Sequence, residues 1–492
     1  MIMPAAPILI AIFIAFASDS IAPPVSVRPD DWAGCLMQAI AALGLAASVA
    51  MGLGLGLTAA VRRRGYPTIS TRRGFMAASY MVQAMNLAVF AWLIHGLGWP
   101  DLVKAGMGLR DAFVVDEVLI LLPFLMAEVV GWWGLYPAAR ASRIVGTTSG
   151  AGTYLVRKAR MTFGLVLPAV VLFWAGNDAT RRLLGDGSTA PLVQVGVMAG
   201  LGLTLLVISP AFVRLTWPAR PLPSGPLRDR LERLAGRAGF RYTDILIWDT
   251  DGSVFNAVVT GVLPWYRYVL LSDALVEHLD EHEIAAVFGH EMGHIRHRHL
   301  AFFGFFFLGS LAVMALASQV VDSAFALAGP GGSGLELVKS AAVLGTVGLY
   351  YYLVFGALSR RFERQADVYG CRTVSCGRSD CSPQEHYDAP TAVGPGPIAT
   401  EARPLCPVSI RICVGALETV AAENGLRPEA RSWRHGSIAR RIEFLRSLEG
   451  RASAETRFQR GLVRFRVLLL LMLGSAVAAA ILSGAFESLR GV

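Results

Sequence analysis

Long apolar runs dominate the chain and constrain its fold more than any other feature. A helix needs about 20 apolar residues to cross some 30 Å of hydrocarbon. Nine candidate runs lie at residues 3–17, 33–61, 75–98, 113–138, 161–176, 190–213, 300–328, 338–358 and 465–486. Hydrophobic residues make up 54% of the chain and charged residues 16%, against about 25% charged in soluble proteins. This excludes a disordered chain, a fibrous repeat and an ordinary cytosolic enzyme, and it predicts a predominantly α, multi-pass membrane protein.

The net charge of +9 is distributed unevenly between the loops. Five positive residues follow the second run and five follow the fourth, whereas the intervening loops hold two or fewer. Since positive loops stay on the cytoplasmic side, the polar stretches 217–299 and 359–464 are predicted to be cytoplasmic. The charge then reflects orientation in a bilayer, and we expect no nucleic-acid partner. The run at 3–17 lacks a basic start and a clear cleavage site, which favours a retained span over a signal peptide.

Residues 280–299 are predicted to form a helix that begins after a capping Asp280. It contains His290-Glu291-Met292-Gly293-His294, the pattern H-E-x-x-H, which places two imidazoles on one helix face within reach of a single Zn²⁺. Glu291 is then the candidate general base. His297 and His299 follow, and we interpret both as interface residues above the next span.

A catalytic zinc needs a third protein ligand. After two further spans the chain returns to the same side at residues 359–367, where Glu363 and Asp367 lie four apart on one predicted helix face. Glu363 can bind zinc, while Asp367 can hydrogen-bond the second nitrogen of a ligand histidine. The membrane hairpin would thus close the 69-residue gap between His294 and Glu363.

These motifs resemble the integral-membrane gluzincin zinc metallopeptidases, the family of HtpX and the CAAX prenyl-protein endopeptidase. The resemblance covers about residues 217–449 and implies a cytoplasmic α+β zinc peptidase domain, a small edge-strand sheet with the H-E-x-x-H helix. It implies that His290, His294 and Glu363 bind Zn²⁺, that Glu291 activates water and that Asp367 supports a ligand.

Two further elements resemble the same family. Residues 255–261 resemble its edge strand, so Asn256 and Ala257 become candidate substrate-binding residues, although a turn role for Asn256 stays open. Such a strand can bind an extended peptide through its backbone. Residues 435–442 resemble a His-Pro-x-x-x-x-Arg-Ile element with Gly436 at the proline position. The resemblance suggests that His435 and Arg441 stabilise the oxyanion or order the zinc helix, although N-capping or solvent exposure stays open for His435.

A cysteine-rich insert at 371–413 departs from the family pattern. Cys371, Cys376, Cys381 and Cys406 are candidates for a second metal or an iron–sulfur centre. No C-x-x-C pair is present, so free thiols in a loop are the alternative. The nearby His386 and Asp388 do not decide between the two. Disulfides are disfavoured if the insert is cytoplasmic.

The expected organisation has six parts. These are a membrane domain of about six spans at 1–216, catalytic halves at 217–299 and 359–449 flanking a membrane hairpin at 300–358, a basic linker at 450–464 and a final span at 465–486. The function expected is a zinc endopeptidase of a bacterial inner membrane, cutting membrane-associated or misfolded polypeptides at the cytoplasmic face. Two alternatives remain. One is a maturation protease for a lipidated or signal-bearing substrate held in a chamber, which Glu128 could line. The other is a catalytically idle zinc-binding scaffold or transporter.

Overall fold

The computed structural model describes residues 6–16, 31–66, 68–109, 112–146, 150–184, 191–326, 333–388 and 404–484. The chain divides into two compact units, described separately below. Unit 1 contains Met1–Pro221, Tyr242–Phe255 and Thr260–Ala274, and unit 2 contains Leu222–Arg241, Asn256–Val259 and Leu275–Val492.

Unit 1 consists mainly of apolar helices. They are α1 (Ala6–Phe16), α2 (Trp32–Arg64), α3 (Ile69–His95), α4 (Trp99–Asp101) with a π-helical turn Leu102–Gly106, α5 (Val115–Ala141), α6 (Ala151–Phe163), α7 (Val166–Leu184) and α8 (Pro191–Thr216). Phe90 of α3 and Phe124 of α5 are fully buried in its core. Nearby, the Asn86 amide donates a 2.9 Å hydrogen bond to the buried Glu128 carboxylate. Glu128 is thus a buried hydrogen-bond partner of a neighbouring helix, which does not support the chamber-lining alternative.

Three strands of unit 1 pair with one another. They are β1 (Ala219–Pro221), β2 (Asp244–Trp248) and β4 (Tyr268–Ser272). Strand β2 pairs antiparallel with β1 and parallel with β4, in a register that places Leu246 opposite Leu270. Both parallel strands are near-continuous apolar runs, as expected where both faces of a sheet are covered.

Unit 2 holds the remaining helices. They are α9 (Pro226–Ala238), α11 (Glu281–Arg296), α12 (His299–Ala326), α13 (Ser333–Tyr350) with a π-helical turn Tyr351–Phe355, α14 (Gly356–Thr373), α15 (Pro383–Asp388), α16 (Pro407–Glu423), α17 (Ile438–Ser447) and α18 (Ala452–Leu482). Two further elements have residues assigned to both units. They are the strand β3 (Ala257–Thr260) and the short helix α10 (Asp273–His278). Helices α12, α14 and α18 share an aromatic core that includes Phe306, Phe362 and Leu462.

Five helices among the described residues are long and apolar enough to cross a membrane. They are Trp32–Arg64, Ser70–His95, Val115–Ala141, His299–Phe325 and Ala452–Leu482, and α6 with α7 would add a sixth although the pair is bent by 49°. Among the described residues, fewer than the nine expected spans are found. The described part of the first run is the 11-residue α1, about 16 Å long at about 1.5 Å per residue, and the rest of that run lies outside the described residues. The mostly helical architecture with a small sheet confirms the predicted fold class.

Candidate metal centre and catalytic site

Helix α11 carries the H-E-x-x-H motif and begins at a capping box. The Asp280 carboxylate accepts hydrogen bonds of 2.8 Å from the backbone N–H groups of His282 and Glu283, and the Glu283 carboxylate accepts from the Asp280 N–H. The predicted cap is therefore present. The apolar face of the helix is buried through Ile284, Phe288 and Met292, which leaves the histidine face directed at the site.

Helix α14 packs unusually close to α11 because both helices carry glycine at the contact. A Cβ on Gly289 would lie 2.2 Å from the Thr373 hydroxyl, and one on Gly370 would lie 2.7 Å from the Ala286 carbonyl. Any larger residue would separate the two helices. Their close approach brings Glu363 to the histidines although helices α12 and α13 intervene in the sequence.

Three potential ligand atoms converge between these helices. His290 Nε2 and His294 Nε2 are 3.2 Å apart, and the Glu363 oxygens lie 3.8 Å from His290 Nε2 and 3.9 Å from His294 Nε2. Ligands about 2.0–2.1 Å from a tetrahedral zinc are separated by about 3.4 Å. The donor set of two imidazoles and one carboxylate, at these spacings, therefore fits Zn²⁺.

Asp367 supports the first histidine. Its carboxylate lies 2.9 Å from His290 Nδ1 and accepts two hydrogen bonds from the Arg441 guanidinium, of 2.8 and 2.5 Å. Burial by itself raises the pKa of Asp367, but the charge and hydrogen bonds of Arg441 outweigh it and hold the pKa at about 2. The permanently ionised Asp367 fixes the His290 proton on Nδ1 and leaves Nε2 free to bind metal.

Glu363 is held by two residues of the element at 435–442, the one that resembles His-Pro-x-x-x-x-Arg-Ile. His435 Nδ1 lies 2.9 Å from one Glu363 oxygen, and Arg441 lies 3.5 Å from the other. Although burial raises the pKa of Glu363, His435 and Arg441 together lower it well below its usual value. Glu363 therefore stays a carboxylate, the form that binds metal.

Glu291 follows His290 and its carboxylate accepts a 3.3 Å hydrogen bond from the Val259 backbone N–H. Burial raises the pKa of Glu291 to about 7, the range in which a carboxylate exchanges protons near neutral pH. Val259 belongs to β3, the predicted edge strand. Within that segment Asn256 is exposed and Ala257 is buried.

His299 is a residue whose role the sequence interpretation missed. The helix does not continue through 299 as expected, because Arg298 adopts a left-handed conformation (φ 54°) and a new helix starts at His299. This turn buries His299, with Nδ1 3.0 Å from His294 Nδ1 and Nε2 3.0 Å from Gln365 Oε1. His299 thus orients His294 as Asp367 orients His290, and is not an interface residue.

The donor and acceptor of each hydrogen bond from His294 through His299 to Gln365 follow from the contacts of Gln365. Its Nε2 donates to Gln459 at 2.6 Å and its Oε1 accepts from Arg466 at 2.7 Å. The atom of Gln365 that faces His299 is therefore Oε1, and it accepts a hydrogen bond from His299 Nε2–H. His299 Nδ1 is then unprotonated and accepts a hydrogen bond from His294 Nδ1–H. His294 then presents an unprotonated Nε2 to the metal position.

The cysteine-rich insert differs from the expectation in one ligand. Cys371 of α14 and Cys413 of α16 form a disulfide, with their Cα atoms 5.9 Å apart, so Cys371 is excluded from the predicted second metal set. Cys376, Cys381 and Cys406 do lie together, and His386 joins them. The side chain of Asp388 and residues 389–403 lie outside the described part of the chain.

Comparison with known proteins agrees with this geometry. Residues 221–448 match the model of peptidase family M48, a little under half the chain. The "Protease HtpX homolog" of Aeropyrum pernix is 25% identical over 221 residues, 44% of this chain and 68% of that protein.

Two further matches cover a shorter segment or have lower sequence identity. The "Probable CAAX prenyl protease 1" of Schizosaccharomyces pombe is 34% identical over 102 residues, 20% of this chain and 21% of that protein, so the match spans about a fifth of that relative's length. The crystal structure of S. mikatae Ste24p is 17% identical, with a TM-score of 0.48 over 86% of this chain and all of that one.

The matched residues 221–448 include each member of the metal group His290, His294 and Glu363. The predicted resemblance to a metallopeptidase family is therefore confirmed over residues 221–448.

Proposed function

We propose that the chain is a zinc-dependent endopeptidase that cuts membrane-associated or misfolded polypeptides at the cytoplasmic face of a bacterial inner membrane. The observation that carries this proposal is the convergence of His290, His294 and Glu363 at metal-ligand spacing, with Glu291 beside them. A purely structural zinc site has no use for a buried carboxylate with a pKa near 7 at that position. This argues against an idle scaffold or transporter.

The residues divide the chemistry among themselves. Bound Zn²⁺ would act as a Lewis acid, polarising the scissile carbonyl and acidifying water. Glu291 would accept the proton of the attacking water and deliver it to the nitrogen of the departing amine. The Val259 N–H keeps the Glu291 carboxylate in place for both transfers.

His435 and Arg441 supply positive charge beside Glu363. Arg441 is buried and bridges Asp367 and Glu363, so we assign it a positioning role. The His435 side chain is 41% exposed and can reach substrate as well as Glu363, so it is the candidate to stabilise negative charge that develops on the carbonyl oxygen.

The β3 segment is the candidate substrate strand. Its N–H group at Val259 already points at the catalytic base, which places any peptide aligned along Asn256 and Ala257 close to Glu291. Backbone pairing there would bind many sequences, as a protease of misfolded chains requires.

A cavity of about 750 Å³ adjoins the site within unit 2. Its wall includes His435 together with Tyr352 and Leu353 from the end of the membrane hairpin. Six arginines line it, namely Arg360, Arg361, Arg364, Arg431, Arg440 and Arg441. Apolar and basic walls together favour a polypeptide that is tethered to the membrane and carries negative charge. The same cavity favours the second candidate, a maturation protease for a lipidated chain end.

An assay of protease activity in the unchanged chain and two variants tests the proposal. The full chain in detergent is assayed for casein cleavage and autolysis, with and without chelator, beside Glu291→Gln. The matched surface control is Glu418→Gln, whose exposed carboxylate pairs with Arg446. We expect loss of activity in Glu291→Gln and on chelation, with Glu418→Gln unchanged. Equal activity in all samples would refute the mechanism. Parallel lipidated and unlipidated peptides separate the two candidate substrates.

A further inference from the structure

Four potential ligands meet in the cysteine-rich insert, outside the catalytic site. The ligand atoms of Cys376, Cys381, His386 and Cys406 all lie within 4.8 Å of one another, and all but the half-buried Cys376 are buried. They come from the loop after α14, from α15 and from the residue that precedes α16. We propose that these four side chains bind a structural Zn²⁺, separate from the catalytic one.

The measured spacings agree with tetrahedral coordination. His386 Nδ1 lies 3.5 Å from Cys381 Sγ and 3.7 Å from Cys406 Sγ. With Zn–S near 2.3 Å and Zn–N near 2.0–2.1 Å, a tetrahedron separates sulfur from nitrogen by about 3.5 Å and two sulfurs by about 3.8 Å. His386, Cys381 and Cys406 therefore already have these ligand spacings, and the Cys376 sulfur lies within 4.8 Å of each of their ligand atoms.

The donor set favours zinc held for structure. Three thiolates and one imidazole fill all four positions of a tetrahedral ion, which leaves none for water. The catalytic group has three ligands and a neighbouring base, whereas the cysteine-rich group has four ligands and so fills the coordination of the ion. Among the described residues, no carboxylate belongs to this group.

The backbone around the sulfurs favours negative charge there. Cys406 caps α16, a 17-residue helix, and its sulfur accepts a 3.3 Å hydrogen bond from the Ser409 N–H. The Ser375 hydroxyl accepts from the N–H groups of both Cys406 and Gly377, at 3.0 and 3.2 Å, and so ties the two cysteine-bearing segments together. Thiolates are stabilised at helix N-termini and by such donors.

The position of the site suggests what the ion does. It joins the end of α14, which carries Glu363 and Asp367, to the start of α16, which packs against both α14 and α11. The disulfide between Cys371 and Cys413 links the same two helices further along. A bound ion would therefore hold α16 against the two helices of the catalytic site.

Metal analysis of the purified full chain tests the proposal. We expect two zinc equivalents per chain, one equivalent in Cys381→Ser/Cys406→Ser, and two in the matched control Cys35→Ser, whose thiol lies in α2 of unit 1. His290→Ala/His294→Ala should also keep one equivalent, which separates this result from the fate of the catalytic site. One equivalent in both the unchanged chain and the double cysteine variant would overturn the proposal.

Two measurements on the unchanged chain cover the case in which a cysteine variant does not fold. Titration with a mercurial should release one zinc as three thiols react, and Co²⁺ substitution should give intense sulfur-to-cobalt charge-transfer absorption. Absence of both signals would overturn the site. So would a disulfide among Cys376, Cys381 and Cys406 found by non-reducing peptide mapping.

Discussion

Asp367→Asn tests how the site fixes its first ligand. The Asp367 side chain is only 4% exposed and contacts both His290 Nδ1 and the Arg441 guanidinium. The change keeps the shape of the side chain but removes its charge. An amide can also offer its N–H₂ group to His290, which would place the imidazole proton on the nitrogen that should bind metal.

The size of the effect follows from the pKa of Asp367. Its lowering from 3.8 to about 2 corresponds to about 2.5 kcal/mol of preferential stabilisation of the carboxylate by its surroundings. About 1.4 kcal/mol is a tenfold change in an equilibrium constant, so we expect zinc affinity to fall some 10- to 100-fold, the range typical of residues that support a metal ligand. The stability that the ionised Asp367 provides is complete above its unfolded pKa, near 4, and is lost as the pH falls through about 2.

Zinc affinity is measured by competition with a chelator in buffered zinc, and casein cleavage is followed against free zinc in the same series. Glu418→Gln is again the control, because Glu418 is 57% exposed and pairs with Arg446, apart from both metal groups. We expect excess zinc to restore much of the activity of Asp367→Asn. A zinc affinity within twofold of the unchanged chain would refute it.

Three further predictions concern single groups. His299→Ala should weaken zinc binding about tenfold, because His299 orients the ligand His294. His297→Ala is the control and should leave zinc affinity unchanged. Equal zinc affinities of the two variants in chelator competition would contradict this. Glu455→Ala should lower stability by about 3–5 kcal/mol, because it removes the carboxylate that pairs with the buried Arg372. The measurement is the midpoint temperature of thermal unfolding in detergent, and an unchanged midpoint would contradict the prediction. Because Glu291 must be ionised to accept a proton and burial raises its pKa to about 7, kcat/KM should fall as the pH decreases, with the acid limb at or below pH 7. An acid limb above pH 8 would exclude Glu291 as the base.

Local spacing predicted a large share of the candidate site. The helix that carries His290 and His294, its cap at Asp280, and the pairing of Glu363 with Asp367 all depend on positions three to five residues apart on one helix. Such relations are set by helix geometry and need no knowledge of the remaining fold. The apolar runs likewise predicted a membrane protein, although not how many of them form helices of spanning length.

His299 and His386 could not be assigned in this way. His299 reaches His294 where the helix breaks at Arg298, which has a left-handed backbone, and His386 reaches Cys406, which lies 20 residues further along the chain. Cys371 was expected among the metal ligands, yet its place on α14 directs it to Cys413. In each case the partner is chosen by packing between elements, which periodicity does not record.

The sequence alone determined the chemistry available: apolar helices for a bilayer, an H-E-x-x-H helix for zinc, and a carboxylate pair to complete the site. Tertiary structure decided which of these groups meet. The glycines at 289 and 370 allow α11 and α14 to approach until Glu363 lies within 4 Å of both histidines. A metal site requires several side chains to converge within a few ångströms, and that convergence is a property of helix contacts rather than of any one segment.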